Sequence, residues 1–265
     1  MITWHRLSPA ILTLLVFLLA QGVGTILLLI TGLLTLPDFN ISLGNSLFSI
    51  ILMAVDILAV LCCYFSLRYI RFETALNVTL IRWRPAMLGI AGGLFGALSI
   101  SFLTDNVELP DVMLQMSLAM SHSFWGLLTL VIVGPVTEEL LFREAIMGEM
   151  LRRGTSPWVA IIVSALAFST MHLNLAQGLY ALPIGILFGI IYYKTGNIVL
   201  TSLLHILNNG IVAIQLHTFG EDIADISCVE WFGGGIKAYS VMVLLGVLCI
   251  ALMKRFWDCY LPCER

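Results

Sequence analysis

Long apolar runs alternate with short polar segments along almost the whole chain. An apolar run of about 17–25 residues is long enough to cross a bilayer as a helix. Runs of this kind lie at 10–34, 46–66, 86–104, 123–146, 157–173, 177–193, 197–216 and 238–256. The pattern therefore predicts an all-α polytopic membrane protein, a bundle of about eight transmembrane helices with a polar cavity inside the membrane.

The first of these runs, 10–34, is too long for the apolar part of a signal peptide, which has about 7–15 residues. No small-residue cleavage site follows it. We therefore expect this run to be retained as the first span.

Composition supports lipid as the main solvent of the chain. Of its 265 residues, 60% are hydrophobic and 11% are charged, and the mean hydropathy is +1.01. Soluble domains are typically about 45–50% apolar and 25% charged. We expect the lipid bilayer as a partner and no nucleic acid, and the pattern favours no particular oligomeric state.

Charge predicts the orientation of the spans, because Lys and Arg concentrate in cytoplasmic connections. If the spans alternate, one side carries Arg6, Arg68, Arg71, Arg82, Arg84, Arg152, Arg153, Lys194, Lys254, Arg255 and Arg265. The other side carries one cation, Lys237, and the acids Asp38, Asp105, Glu108, Asp111, Glu221, Asp222, Asp225 and Glu230. Both termini are therefore predicted to be cytoplasmic, and a chain without eukaryotic sorting signals favours a bacterial inner membrane.

We expect one structural domain with three consecutive parts. Residues 1–122 hold three spans, 123–216 hold four spans with the candidate chemistry, and 217–265 hold an outer loop, the last span and a tail. The connection at 67–85 mixes arginines with Leu, Ile, Phe and Trp, which is typical of a segment at the membrane surface. An ordinary loop explains its composition equally well.

The fourth run contains three ionisable residues in the sequence "EELLFR". Each costs roughly 2.5–3.5 kcal/mol at the centre of a membrane. On an α-helix Glu138 and Glu139 point about 100° apart, so they should serve different points. Glu139 and Arg143 are spaced i,i+4 and are expected to form an ion pair. Glu138 is left without a basic partner and is the candidate general base.

Two further helical pairs supply imidazoles and an amide. Phe168 and His172 are spaced i,i+4, so the aromatic ring can pack against the imidazole and fix it. His205 and Asn209 have the same spacing and share a helix face. A base, two imidazoles and an amide donor can activate water and stabilise an oxyanion. A single intramembrane His or Asn is more often a bridge between helices.

Three other intramembrane residues fit structural roles. Asn208 points about 100° away from Asn209 and is expected to bridge helices. Asp56 belongs to no comparable pattern and is expected to serve structure or hydration. Pro135 should kink its helix and free a backbone carbonyl, which is tolerated only beside protein or water.

The motifs "EELLFR", "FSTMH" and "HILNN" stand in this order between about 124 and 214. In this segment the sequence resembles the CAAX-protease and bacteriocin-processing family of intramembrane proteases, which includes the Ras-converting CAAX endopeptidase. The resemblance implies an endopeptidase that acts on membrane-associated peptides or proteins. It implies that Glu138 activates water with help from His172, and that His205 and Asn209 form the oxyanion hole.

One residue departs from the family pattern, because Glu144 stands where many members carry Gly. A catalytic zinc ion needs three protein ligands. Glu138, His172 and His205 could supply them, but zinc would then consume the base. We therefore expect no cofactor and favour a metal-independent glutamate mechanism, with zinc as the alternative.

Depth in the membrane poses a difficulty for this site. Counting along the spans puts Glu138 toward the cytoplasmic end of span four and His172 toward the outer end of span five. The two meet if span four begins later than residue 123 and continues through "EAIMGEMLRR".

Two other functions compete with proteolysis. A non-proteolytic immunity or scaffold protein could retain the fold, although it would not need an unpaired Glu138. A proton-coupled transporter could use Glu138, but such proteins more often contain two related halves.

Overall fold

The computed structural model describes residues 3–35, 41–104, 107, 113–224 and 227–260, and regular structure within them is helical. Two short 3₁₀ turns lie at Val78–Leu80 and Gly220–Ala224, and two π-helical segments at Thr129–Val133 and Glu139–Gly148. The α-helices are α1 (Trp4–Thr35), α2 (Ile41–Phe65), α3 (Phe72–Ala75), α4 (Trp83–Thr104), α5 (Leu114–Ser121), α6 (Phe124–Leu128), α7 (Gly134–Glu138), α8 (Glu149–Arg152), α9 (Pro157–Met171), α10 (Leu175–Thr195), α11 (Ile198–Phe219), α12 (Cys228–Trp231) and α13 (Gly235–Cys259).

Seven helical stretches within the described residues are long and apolar enough to cross a membrane, which confirms an all-α polytopic membrane protein. They are Trp4–Ile30, Ser46–Phe65, Trp83–Thr104, Phe124–Arg152, Leu175–Thr195, Ile198–Phe219 and Gly235–Cys259. The remaining predicted span, 157–173, corresponds to α9, which has 15 residues. At 1.5 Å per residue α9 is about 22 Å long, shorter than the hydrocarbon core of about 30 Å.

Span four is one helical path from Phe124 to Arg152, built from α6, α7, α8 and the two π segments. It continues through the "EAIMGEMLRR" sequence as predicted, but it begins at Phe124 rather than later. Glu138 is the middle residue of this 29-residue path. His172 follows the last residue of the short helix α9 and is partly buried.

Small residues allow the helices outside span four to pack closely. Gly89 and Gly92 of α4 lie against Phe256 and Met253 of α13, where an added Cβ would come within 3.1 Å and 3.0 Å of those side chains. Close contact through glycine is a common way for helices to associate in lipid. The pair α4 and α13, together with α10, encloses a buried apolar cluster beside the site.

The connection at 67–85 is tied to the end of span four. Arg152 donates to the carbonyl of Tyr69, and the backbone N–H of Arg71 donates to Glu144 at 3.3 Å. Asn197, which caps α11, donates to the carbonyl of Asn77 at 2.8 Å. Of the residues that carry the orientation prediction, those outside the described part are Asp38, Asp105, Glu108, Asp111, Asp225 and Arg265.

Candidate active site

The adjacent glutamates Glu138 and Glu139 of span four reach the same imidazole. Nε2 of His205 lies 3.6 Å from Oε2 of Glu138, and its Nδ1 lies 3.2 Å from Oε1 of Glu139. The α-helical separation of about 100° predicts carboxylates that serve different points. Instead they meet opposite edges of one ring, at the residue where α7 gives way to the wider π segment. Such π-helical insertions are frequent at functional sites.

Glu139 forms the ion pair expected from its spacing to Arg143. The Arg143 Nε and Glu139 Oε2 atoms are 3.2 Å apart, and both side chains are fully buried. The guanidinium lies over the rings of Phe168 and Phe188, 4.6 Å and 5.5 Å from their centroids. Cation–π contacts of this kind strengthen when the cation is removed from water. The pair is therefore held as a neutral unit inside the bundle.

The contact with Glu139 selects a tautomer of His205. An ionised carboxylate accepts hydrogen bonds and cannot donate them, so Nδ1 of His205 carries the proton in this contact. We infer this proton from the partner, since hydrogens are assigned from the hydrogen-bond network. The other nitrogen, Nε2, is directed toward Glu138.

Phe168 connects the three motifs through one ring. Its ring is nearly perpendicular to that of His172, with centroids 4.9 Å apart, and to that of His205, with centroids 5.6 Å apart. The guanidinium of Arg143 lies over the same ring. The sequence pairs Phe168 with His172 alone, whereas the structure places residues from all three motifs around it.

His172 follows the last residue of α9 and is held by the backbone of its own helix. Its Nδ1 lies 2.8 Å from the carbonyl oxygen of Phe168, which can only accept. Nδ1 therefore donates, and this hydrogen bond fixes the orientation of the imidazole.

Asn209 contacts the backbone that Pro135 leaves unpaired. In the π segment the N–H of Gly134 bonds to the carbonyl of Thr129, five residues earlier. The next bond in this pattern would join Pro135 to Leu130, and proline has no N–H to donate. Nδ2 of Asn209 donates to that Leu130 carbonyl instead, at 3.0 Å.

Asn208 bridges two helices, in the manner expected from its position on α11. Its Oδ1 accepts from the hydroxyl of Tyr180 on α10 at 2.7 Å, and its Nδ2 donates to Asn209 at 3.3 Å. Tyr180 belongs to no motif and could not be selected from the sequence as a site residue.

Exposure separates the two glutamates. The side chain of Glu138 is 29% exposed, whereas that of Glu139 is fully buried. Arg143 interacts electrostatically with both, but it is within ion-pair distance of Glu139. The arrangement thus presents one accessible carboxylate beside an oriented imidazole, which can accept a proton from water.

Asp56 lies closer to this chemistry than the sequence indicated. It is buried on α2, where it accepts from Gln21 of α1 at 2.7 Å and interacts electrostatically with Glu138. An acid inside an apolar span is rare because it costs free energy in the membrane. The position of Asp56 in such a span could therefore have identified it from the sequence as a residue near the site.

Among the residues that the structure describes, no three His, Cys, Asp or Glu side chains are grouped to hold a metal.

Comparison with known proteins finds matches to the same segment. Residues 119–211 match the model of the family described as "Type II CAAX prenyl endopeptidase Rce1-like". The chain is also 31% identical over 84 residues to "Putative membrane peptidase YdiL" of Bacillus subtilis (strain 168). This match covers 32% of the chain and 34% of the relative, so the chain spans about a third of the relative's length. No solved structure matches the chain.

Proposed function

We propose, from the match of residues 119–211 to the Rce1-like CAAX prenyl endopeptidase family model and from the motifs that this segment contains, that the chain is an intramembrane endopeptidase. Its substrates are peptide bonds of membrane-associated peptides or proteins. The membrane-spanning helices and the site at the middle of span four support cleavage inside or next to the bilayer. We assign the chain to a bacterial inner membrane, with cytoplasmic termini as the distribution of Lys and Arg predicts.

In this proposal Glu138 is the general base. Its carboxylate takes a proton from a water molecule as the water oxygen forms a bond to the peptide carbonyl carbon. The carbonyl oxygen becomes an oxyanion. The C–N bond then breaks, and the departing amine receives the proton that Glu138 holds. His172, whose ring is oriented by the Phe168 carbonyl, helps to activate the water.

His205 and Asn209 stabilise the oxyanion. Preorganised donors in a site that excludes water are worth roughly 2.7–4 kcal/mol each in the transition state. Asn209 uses one amide N–H on the Leu130 carbonyl and keeps the second for substrate. His205 donates from Nε2 when that nitrogen is protonated, with Glu139 holding the opposite edge of the ring.

The observation that supports the proposal most directly is that the two adjacent glutamates differ in charge partner and in exposure. Arg143 neutralises Glu139, whereas Glu138 stays partly exposed and contacts an imidazole. A scaffold or immunity protein has no need of an unneutralised carboxylate at that position, which costs free energy in a membrane. We propose that the hydrolysis is independent of a metal ion.

The test is hydrolysis of a quenched peptide library by the purified chain in liposomes. Glu138→Gln should lower kcat/KM by about a thousandfold or more, because the amide cannot take a proton.

Glu149→Gln is the matched control. That glutamate lies near the end of the same path, 14% exposed, and pairs with Arg152 and Arg153. Hydrolysis at the wild-type rate by Glu138→Gln would refute the assigned base. Activity that a tight zinc chelator removes and zinc restores would refute metal independence.

A further inference from the structure

A cluster of exposed cations lies where α4 begins and α13 ends. The two ends are joined, because the backbone N–H of Arg82 donates to the Tyr260 hydroxyl at 3.0 Å and its Nη1 donates to the Cys259 carbonyl at 3.2 Å. The exposed cations of this cluster are Arg82, Arg84, Lys254 and Arg255. Among the residues that the structure describes, none of the four lies within ion-pair distance of an acid.

The charge of this end of the bundle is positive. Lys194, in the last turn of α10, adds a cation beside the cluster. Asp258, in the last turn of α13, is an exposed acid that interacts electrostatically with Lys194. These two charges offset each other, so the four cations of the cluster remain available to an anion from outside the protein.

Aromatic rings place this end of the bundle at the level of the lipid headgroups. Trp257 of α13 stacks on Tyr193 of α10, with ring centroids 5.9 Å apart, and on Trp158 of α9, with ring centroids 6.4 Å apart. The Nζ atom of Lys194 lies 4.2 Å from the centroid of the Trp257 ring. Trp and Tyr are enriched at the membrane–water interface, where an amphipathic ring has both an apolar and a polar neighbour.

An apolar groove lies between α4, α10 and α13. Its volume is about 280 Å³, and its walls include Gly96, Ser99, Leu187, Gly246 and Ile250. Ile250 is 70% exposed, so the groove opens on the side of the bundle that faces lipid. The hydroxyl of Ser99 already donates to the Met242 carbonyl at 3.1 Å. The groove therefore suits a hydrocarbon chain, which has no polar group to satisfy.

The groove continues toward the cations along shared helix faces. On α13, Lys254 and Trp257 follow Ile250 by four and seven residues, and on α10, Lys194 follows Leu187 by seven. Residues with these spacings lie on one face of an α-helix. At 1.5 Å per residue, the groove lies about 10 Å below the level of the Trp257 ring. A phospholipid has this arrangement, since its acyl chains extend inward from a headgroup at the surface.

We propose that the joined ends of α4 and α13 bind the headgroup of an anionic phospholipid, and that one of its acyl chains lies in the groove. The concentration of Lys and Arg on one side of a membrane accounts for the cations alone, but not for an apolar groove below them. The ligand is anionic because the cluster has no acid within ion-pair distance, and it is a lipid because the groove opens into the bilayer. The inference does not rest on the proposed function, because lipid binding is measured without hydrolysis.

Native mass spectrometry of the full chain in detergent tests the selectivity of the site. The probes are phosphatidylglycerol, which is anionic, and phosphatidylcholine, which is zwitterionic, with the same acyl chains. The first phosphatidylglycerol molecule should bind about tenfold more tightly or better, because each cation near an anionic headgroup contributes a factor of about five. Equal affinity for the two lipids would overturn the inference.

Removal of cations tests the place of the headgroup. The double variant Arg82→Gln, Lys254→Gln should lower the affinity for phosphatidylglycerol by about tenfold or more. Lys254→Gln alone, which leaves the Arg82 contacts with α13 intact, should lower it by about fivefold and serves if the double variant does not fold. Lys237→Gln is the matched control, because this exposed cation lies near the other end of α13. Wild-type affinity in folded Lys254→Gln, or an equal loss in Lys237→Gln, would overturn the assigned site.

Filling the groove tests the place of the acyl chain. Ile250→Trp should lower the affinity for both lipids by about tenfold, which corresponds to the loss of roughly two buried methylene groups. Leu244→Trp is the matched control, since Leu244 lies on the same helix, is 58% exposed and does not line the groove. Wild-type affinity in folded Ile250→Trp, or an equal loss in the two variants, would overturn the placement of the chain.

Discussion

Nδ1 of His205 lies 3.2 Å from Oε1 of Glu139, across 66 residues of sequence. Oε2 of the same carboxylate faces Nε of Arg143 at 3.2 Å. Glu139 therefore connects a buried arginine to the imidazole beside the candidate base. Its role is wider than the neutralised ion pair that its spacing to Arg143 predicts, because it also fixes one tautomer of His205.

Glu139→Gln should cost both stability and activity. Removing one partner of a buried ion pair leaves an uncompensated charge, which typically costs about 3–5 kcal/mol. The amide also lacks the negative charge that supports His205 with a proton on both ring nitrogens, the form that donates from Nε2 to the oxyanion. In detergent, we expect the midpoint of thermal unfolding to fall strongly. We also expect a lower kcat when activity is expressed per folded molecule.

The double variant Glu139→Gln, Arg143→Met separates the two effects. It removes the stranded charge, so stability should recover, while kcat should stay low because His205 still lacks its anionic partner. Recovery of kcat together with stability would mean that Glu139 acts on folding alone.

Phe168→Leu should reduce activity more than stability alone explains. The ring touches His172, His205 and Arg143, so its loss frees both imidazoles to rotate. Phe142→Leu is the matched control, because its ring is buried to the same extent and packs on Phe168 without touching either histidine. Both variants should lose about 1–3 kcal/mol of stability. Only Phe168→Leu should lower kcat of the folded enzyme, and equal kcat values would contradict the orienting role.

Periodicity and spacing were enough to predict the membrane fold and two local contacts near the candidate site. The apolar runs gave the helices because lipid leaves a chain few alternatives to helix. The i,i+4 rule gave the Glu139–Arg143 pair and the Phe168–His172 contact, since both are local.

What the sequence could not give depends on backbone deviation and on contacts between distant helices. The π segments at Thr129–Val133 and Glu139–Gly148 change which side chains meet, and their sequences carry no clear π signal apart from Pro135. The approach of both glutamates to His205 follows from that change. The packing of α2, which carries Asp56, against α7 is a contact between distant segments that no local pattern contains.

Asn209→Ala should impair both the helix and the reaction. It leaves the Leu130 carbonyl without its donor, a loss of about 1–3 kcal/mol for a buried polar group. If the second amide proton stabilises the oxyanion, kcat should also fall by about a hundredfold or more. Steady-state kinetics and a denaturant titration on the same preparation measure the two effects. Asn208→Ala is the comparison variant, because it breaks the bonds to Tyr180 and to Oδ1 of Asn209 but leaves both amide protons of Asn209 in place, so its kcat should fall much less. Equal kcat losses in the two variants would contradict a direct role for Asn209.

Glu144→Gln should destabilise the protein without changing the chemistry of the folded enzyme. This glutamate is 1% exposed and accepts from Arg152, from the hydroxyl of Tyr192 and from the backbone of Arg71. It joins the connection at 67–85 to the end of span four, two turns away from Glu138 in the path. Loss of the Glu144 charge should lower the free energy of unfolding by about 3 kcal/mol or more, because Arg152 stays partly buried and keeps only a weaker partner.

Glu149→Gln is the control. Glu149 forms a more exposed pair with the same Arg152, so its loss should lower the free energy of unfolding by about 1 kcal/mol or less. Thermal unfolding in detergent compares the two. A smaller loss for Glu144→Gln than for Glu149→Gln would contradict the anchoring role, and a fall in kcat of the folded fraction would place Glu144 in the site itself.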